Sequence, residues 1–341
     1  MGTSMTDTVL AVAPLPEGPW PTLDPFLFCV HHDDDYPEGD GQMRPNESLA
    51  GRTLGQDFGG KDGWNMYHGS TIPGFPQHPH RGFETVTVAR RGFIDHSDSL
   101  GAAARFGEGD LQWMTAGKGV VHSEMFPLLH QDARNPTELF QIWLNLPAVF
   151  KMADPHFSMF WKNKIPSVSI AGGVKLVSYA GALPDGQFPP APPPSSWAAN
   201  PSNDVAIWTI KLDPGSTWTL PATDIPDVGR CLYLFSGGSV SFDGQKVDAR
   251  HVVQVNASCD LTLQSGNEMS EVLMLQGRPI GEPVAQHGPF VMNSRDELAA
   301  AFADYRQTAF GGWPWPQQDP VHPVNEGRFA RFPNGEINRP E

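Results

Sequence analysis

Cysteine is scarce in this chain: three among 341 residues, Cys29, Cys231 and Cys259. An odd, low count without a C-x-x-C pair excludes a disulfide framework and fits free thiols in a reducing compartment. Positive charge is short as well. Lys and Arg number 23 against 38 Asp and Glu, the net charge is −15, and no basic run of five or more occurs. Direct binding to nucleic-acid phosphate or to an anionic membrane surface needs a positive face, so both are disfavoured, whereas a protein partner is not. No basic region followed by an apolar run opens the chain, and no stretch approaches the ~18 apolar residues of a spanning helix, so neither secretion nor membrane insertion is expected. The expectation is a cytoplasmic monomer.

What is abundant is punctuation. Gly 35 and Pro 34 fit many turns and few long helices, and 39% hydrophobic residues supply real cores. Phe83, Thr85 and Thr87 alternate with Glu84, Val86 and Val88, as Phe140, Ile142, Leu144 and Leu146 do with Gln141, Trp143 and Asn145. Such period-2 runs argue strands with two unlike faces. Val240–Val247 reads as a hairpin turning at Asp243-Gly244. Ser294-Arg295-Asp296-Glu297, then Leu298, Ala301, Phe302 and Tyr305, predicts a capped helix over 294–306. The Trp313-Pro314-Trp315-Pro316 tail is expected to cover a groove of its own chain, because exposed tryptophan is costly to leave in water. His31-His32-Asp33-Asp34-Asp35 reads as a solvated acidic loop rather than a second metal site. The expected organisation is a leader at 1–20, a first barrel at 21–180, a proline-rich linker or insertion at 181–204, a second barrel at 205–293, and a helix with an extended tail at 294–341.

Two short stretches carry chemistry: His78-Pro79-His80 and His122-Ser123-Glu124. On a strand, side chains at i and i+2 point the same way. Two such strands facing each other would present three imidazoles and one carboxylate to one point. That mixed nitrogen and oxygen set suits Fe(II) first, or Mn, Ni, Co or Cu, with one divalent ion per chain. Four ligands at an octahedral ion leave two positions open for a small aromatic substrate and O2. Glu124 is either a ligand alone or also a general base toward a substrate hydroxyl. Glu84 lies an even number of residues beyond His80 and would support a histidine if the strand ran on regularly. Phe75, Phe83, Trp113 and Trp143 are candidate pocket walls. The second half holds His251 without any H-x-H or H-x-E, so its barrel is expected to be metal-free.

His78-Pro79-His80-Arg81-Gly82-Phe83-Glu84-Thr85-Val86-Thr87 resembles the first signature of the pirin family. Gly109-Asp110-Leu111-Gln112-Trp113-Met114-Thr115-Ala116-Gly117, running into His122-Ser123-Glu124, resembles the second. Asp98-Ser99-Leu100-Gly101, Trp143-Leu144-Asn145-Leu146-Pro147 and Gly288-Pro289-Phe290-Val291-Met292-Asn293 fit it too. The resemblance implies an all-β bicupin: two tandem antiparallel β-barrels of the double-stranded β-helix type, with a short C-terminal helix and extended tail, and metal in the first barrel only. It also implies that the family's ligands fall on His78, His80, His122 and Glu124. Some pirins have quercetin 2,3-dioxygenase activity, which implies ring-opening oxygenation of a flavonol-like substrate. Others are metal- or redox-sensitive partners of transcription factors or metabolic enzymes, and the alternative implied here is a non-enzymatic regulator of that kind.

Overall fold

A computed structural model describes residues 8–341; residues 1–7 of the expected leader lie outside the described residues. Strands dominate, and the one α-helix among the described residues is Arg295–Thr308. Ser294 caps it by accepting from the Glu297 N–H, with Asp296 and Glu297 in its first turn, as the sequence predicts. No described helix is long and apolar enough to cross a membrane.

The chain divides into two compact units, Val30–Asn163 with Glu282–Glu341, and Met1–Cys29 with Lys164–Gly281. The first carries both histidine pairs. It has a five-stranded sheet in the order His156–Phe160, Leu111–Thr115, Phe83–Arg91, Asn135–Asn145, Phe26–Tyr36. It also has a six-stranded sheet in the order Ile337–Asn338, Phe329–Arg331, Ala103–Gly107, Phe93–Asp98, Val120–Met125, Gly74–His80. Side chains from both sheets, among them Ala89, Leu139, Ile94, Phe106 and Phe157, close over one apolar core.

The second unit has a seven-stranded sheet running from Val9–Pro14 to Ser167–Ile170 and a four-stranded sheet that includes the predicted hairpin. Leu176, Ile210, Leu232, Phe242, Leu263 and Met274 fill its core. At the hairpin turn Asp243 (φ 47°) and Gly244 (φ 85°) are both left-handed, which matches the twist of the flanking strands.

The organisation differs from the one expected: residues 282–293 belong to the unit that carries the histidines and residues 21–29 to the other. Val9–Pro14 is no leader: it pairs antiparallel with His251–Asn256. Ser167–Ile170 and Val174–Ala180 do not end the first barrel, because Val174–Ala180 pairs with Ala206–Leu212 in the second unit. The C-terminal tail returns to the first unit, where Phe329–Arg331 pairs with Ala103–Gly107. The acidic run 31–35 lies inside the strand Phe26–Tyr36 instead of a loop. A sheet edge left bare is a liability, and the two chain ends cover edges far from them in sequence.

Candidate metal centre

Gly74–His80, the His-x-His strand, pairs antiparallel with Val120–Met125, the His-x-Glu strand, with His78 opposite His122 and His80 opposite Val120. Alternation then turns His78, His80 and His122 to one side. One ring nitrogen from each lies within 4.8 Å of the others. Ring centroids are 4.4 Å apart for His78 and His122, and 4.8 Å for both His80–His122 and His78–His80.

His80 and His122 are buried and His78 is half-buried. Nδ1 of His78 donates to the Pro76 carbonyl at 2.9 Å, which leaves Nε2 with its lone pair free. An imidazole held from behind in this way is the usual arrangement of a metal ligand. Nδ1 of His80 and both nitrogens of His122 are buried without any hydrogen-bond partner. Burial pulls the pKa of His78 down to about 4, and burial together with the neighbouring imidazoles takes His80 and His122 well below their ordinary range. All three rings are therefore neutral near pH 7, the state in which imidazole binds a cation. Buried orphan nitrogens converging on one point fit a divalent ion and are otherwise a cost of ~1–3 kcal/mol each.

Glu124 is not brought into the three-histidine group. The register shifts between Phe75 and His78, which sets Glu124 opposite Phe75, and its Oε1 accepts from the Thr87 hydroxyl at 3.0 Å. Burial raises the Glu124 pKa, against the lowering effects of His96 and of the Thr87 hydrogen bond.

Of the expected walls, three meet the histidines. The Phe75 ring is 6.4 Å from His78, Phe83 is 5.0 Å and Trp143 is 5.4 Å from His80, and Phe83 and Trp143 pack on each other at 4.2 Å. Two expected residues face away. The His-x-His strand ends at His80 and the next strand begins at Phe83, with Gly82 between them at φ 85°. That break reverses the parity, so Phe83, Thr85 and Thr87 face the cluster. Glu84 instead accepts from Thr115 at 2.6 Å on the opposite face of the sheet. Trp113 pairs with Val86 on that same outward face, its ring 6.2 Å from Phe160. Gly82 admits no side chain: a Cβ there would sit 1.9 Å from the Val291 carbonyl oxygen. Its own carbonyl accepts from buried Lys151 Nζ at 2.9 Å, which also donates to Asn145 Oδ1 (2.7 Å) and the Val291 carbonyl (3.2 Å).

Sequence reasoning missed His96, Thr87 and Gln112. His96 stands opposite Glu124, on the strand Phe93–Asp98, with its ring 5.5 Å from His122. It bonds Gln112 through Nδ1 (3.1 Å) and approaches Asp98 through Nε2 (3.3 Å). The signal was available: His96-Ser97-Asp98 is a third i, i+2 pair. The residues of the 31–35 run have other partners, His31 with Glu138 (3.0 Å), and His32 with Tyr67 (2.7 Å), which itself donates to Asp34 (2.6 Å).

The pirin family profile matches residues 15–144, and that of the pirin C-terminal cupin domain matches residues 207–311. A Pseudomonas aeruginosa protein provisionally named a quercetin 2,3-dioxygenase is 36% identical over 238 residues, 69% of this chain and 79% of its own length. Pirin of Homo sapiens is 31% identical over 255 residues, 73% of this chain and 81% of its own length. The solved structure of a quercetin 2,3-dioxygenase from Acinetobacter baumannii superposes with a TM-score of 0.70 at 24% identity, covering 90% of this chain and 99% of that one; at this identity the likeness is one of fold. With both domain profiles matched over most of its length and relatives above 30% identity, this bicupin belongs to the pirin family.

Proposed function

We propose that this protein is a metal-dependent dioxygenase that opens the ring of a flavonol-like aromatic substrate. The observation that carries the proposal is the convergence of three neutral imidazoles: His78, held by the Pro76 carbonyl with its other nitrogen free, and buried His80 and His122, where Nδ1 of His80 and both nitrogens of His122 have no hydrogen-bond partner. The relatives named for quercetin oxygenation support the substrate class. His78, His80 and His122 would hold one divalent ion, Fe(II) first among Mn, Ni, Co and Cu. When bound, that ion lowers the pKa of a substrate hydroxyl and supplies the redox chemistry that O2 requires.

The chain's own residues have distinct tasks. The Pro76 carbonyl fixes the His78 tautomer. Phe75, Phe83 and Trp143 exclude water and give an aromatic ring flat surfaces to lie against. Glu124, held by Thr87, takes the substrate hydroxyl proton on its carboxylate, and its raised pKa brings it closer to that task. A turn of its side chain away from Thr87 would add it as a fourth ligand. Cys29 and Cys231 are buried free thiols, which suit a reducing cytoplasm.

The test is aerobic incubation of the purified protein with quercetin in defined metal forms, following oxygen uptake and loss of the flavonol absorbance. The result expected is turnover in the iron form, lost together with bound metal in His80→Ala and His122→Ala. Metal retained by both variants rejects the ligand assignment. A metal-loaded protein that consumes no oxygen with flavonols rejects the substrate class. The second reading, a metal- or redox-sensing regulator of a protein partner, is favoured by one observation: His80 and His122 are enclosed to 4% and 0% exposure, which restricts a bulky substrate more than an ion.

A further inference from the structure

Residues 312–341 lie beyond both family matches, yet they return to the unit that carries the histidines. We propose that the tail segment 313–322 is a strap that positions the three-histidine cluster, with Trp315, Gln318 and His322 as its positioning residues. The inference rests on the metal-centre reading above.

Three strands lie side by side in the six-stranded sheet: Phe93–Asp98, Val120–Met125 and Gly74–His80. His122 is on the middle strand, flanked by Asp98 on one side and His78 on the other. Trp315 Nε1 donates to the Asp98 carbonyl at 2.8 Å. Three residues later the Gln318 carbonyl accepts from the backbone N–H of Gln77, the neighbour of His78, at 2.7 Å, and the two glutamine side chains also bond each other. Only three residues of a bent segment, 315–319, separate the two anchors. The segment therefore links the two outer strands across the His122 strand, at the level of the cluster. It also bonds the outer edge of the His-x-His strand, which ends its sheet, at Gln77.

Both ends of the strap are fixed on groups next to the site. Upstream, the Phe310 ring lies against Gly119, where a Cβ would come within 2.6 Å of it, and under the Arg81 guanidinium at 4.3 Å. Downstream, His322 Nε2 donates to the His96 carbonyl (3.0 Å) and its backbone N–H to Asp95 (2.7 Å). Buried Arg105 grips Asp95 with two bonds and donates to the carbonyls of His322 and Pro323, each at 2.8 Å. A cluster built from three separate positions on two strands keeps its geometry only while those strands keep their spacing. The strap supplies that constraint from outside the barrel, as supporting contacts do for metal ligands generally.

Release of cobalt(II) tests this. Full-length wild type, Trp315→Phe, Trp315→Ala and Trp313→Ala are loaded with cobalt(II), their visible ligand-field spectra recorded, and release to excess EDTA timed. Trp315→Ala should release cobalt ~10-fold faster or more, the scale on which supporting contacts act on metal affinity, with an altered visible spectrum. Trp315→Phe, which keeps the ring and loses the donor, should fall between it and wild type. Trp313 donates to Gln317 within the tail itself and its ring lies 6.5 Å from that of Trp315, so Trp313→Ala should accelerate release less than Trp315→Ala. Should Trp315→Ala not fold, Trp315→Phe alone decides. Wild-type release rate and spectrum in the Trp315 variants overturn the strap while leaving the metal centre standing. Equal acceleration in Trp313→Ala also overturns it, since any loosening of the tail would then suffice. A wild-type protein that takes up no cobalt refutes the metal centre, and the strap falls with it.

Discussion

His122→Leu should have opposite effects on the metal-stripped and metal-loaded protein. Both nitrogens of His122 are fully buried and have no partner. A buried polar group left unmatched costs ~1–3 kcal/mol, so the pair costs roughly 2–6 kcal/mol in the stripped state. Leucine is close in volume and has no polar atom, and a mismatch of shape costs less than ~1.5 kcal/mol. The stripped variant should therefore be more stable than stripped wild type by about 0.5–6 kcal/mol. For a unit of this size each kcal/mol moves the midpoint by ~2–4 °C. Metal reverses the order: at a free concentration of ~100 times Kd it adds ~2.7 kcal/mol to wild type and nothing to a variant that cannot bind it. Urea unfolding of both proteins, with and without a divalent metal, measures all four stabilities. If the stripped variant is less stable than stripped wild type by more than ~1 kcal/mol, the imidazole has protein partners and the cluster is a packing feature, which would refute the reasoning.

Glu124→Gln should retain metal while turnover of a flavonol falls ~10²-fold or more, the usual scale for a lost general base; unchanged turnover with metal retained removes Glu124 from proton transfer. Lys151 is pulled down to about 8 by burial, against the raising effect of Glu282 and Glu297. Between pH 8 and its ordinary value of 10.5 the unfolded chain holds more protons than the folded one, so this residue makes stability rise with pH across that window, by about 3 kcal/mol at most. Lys151→Met should flatten that rise in a urea series from pH 7.5 to 10.5, and an unchanged slope would assign it to other groups. Gly82→Ala should cost ~2–5 kcal/mol, a left-handed penalty of ~1–2 plus overpacking of ~1–3, because its Cβ meets the Val291 carbonyl. Gly101→Ala, at φ 86° with open space around it, should cost only the first part, and equal losses at the two sites would remove the steric argument.

The sequence exposed the histidine cluster because its signal is local. Two residues apart on a regular strand is a statement about one strand, and His78-Pro79-His80 and His122-Ser123-Glu124 each lie inside one. Every reading that failed depended on something between elements. Glu84 is placed by carrying parity past a boundary. The chain breaks at Arg81-Gly82, and only the clash at Val291, far along the sequence, shows why glycine stands there. Glu124 stands opposite Phe75, beyond a slip in the strand pairing, and accepts from Thr87, a partner that neither of those two strands reveals.

The run His31–Asp35 has the composition of a solvated loop. In the structure Tyr67 and Glu138 answer its side chains, and neither is near it in sequence. The exchange of ends between the two units is the extreme case. Val9–Pro14 finds its partner at His251–Asn256, and the tail finds Arg105, Asp98 and Gln77. His96-Ser97-Asp98 is the instructive exception. It shows the same period as the two pairs that were found, and it lies beside His122, yet its contacts to Gln112 and to the tail are what set it apart from a solitary histidine on a core strand. Spacing finds candidates; the partners of each nitrogen decide between ligand, support and core. On that criterion His78, His80 and His122 separate from the rest: one is held from behind with a lone pair free, and the other two keep buried nitrogens with nothing in the protein to satisfy them.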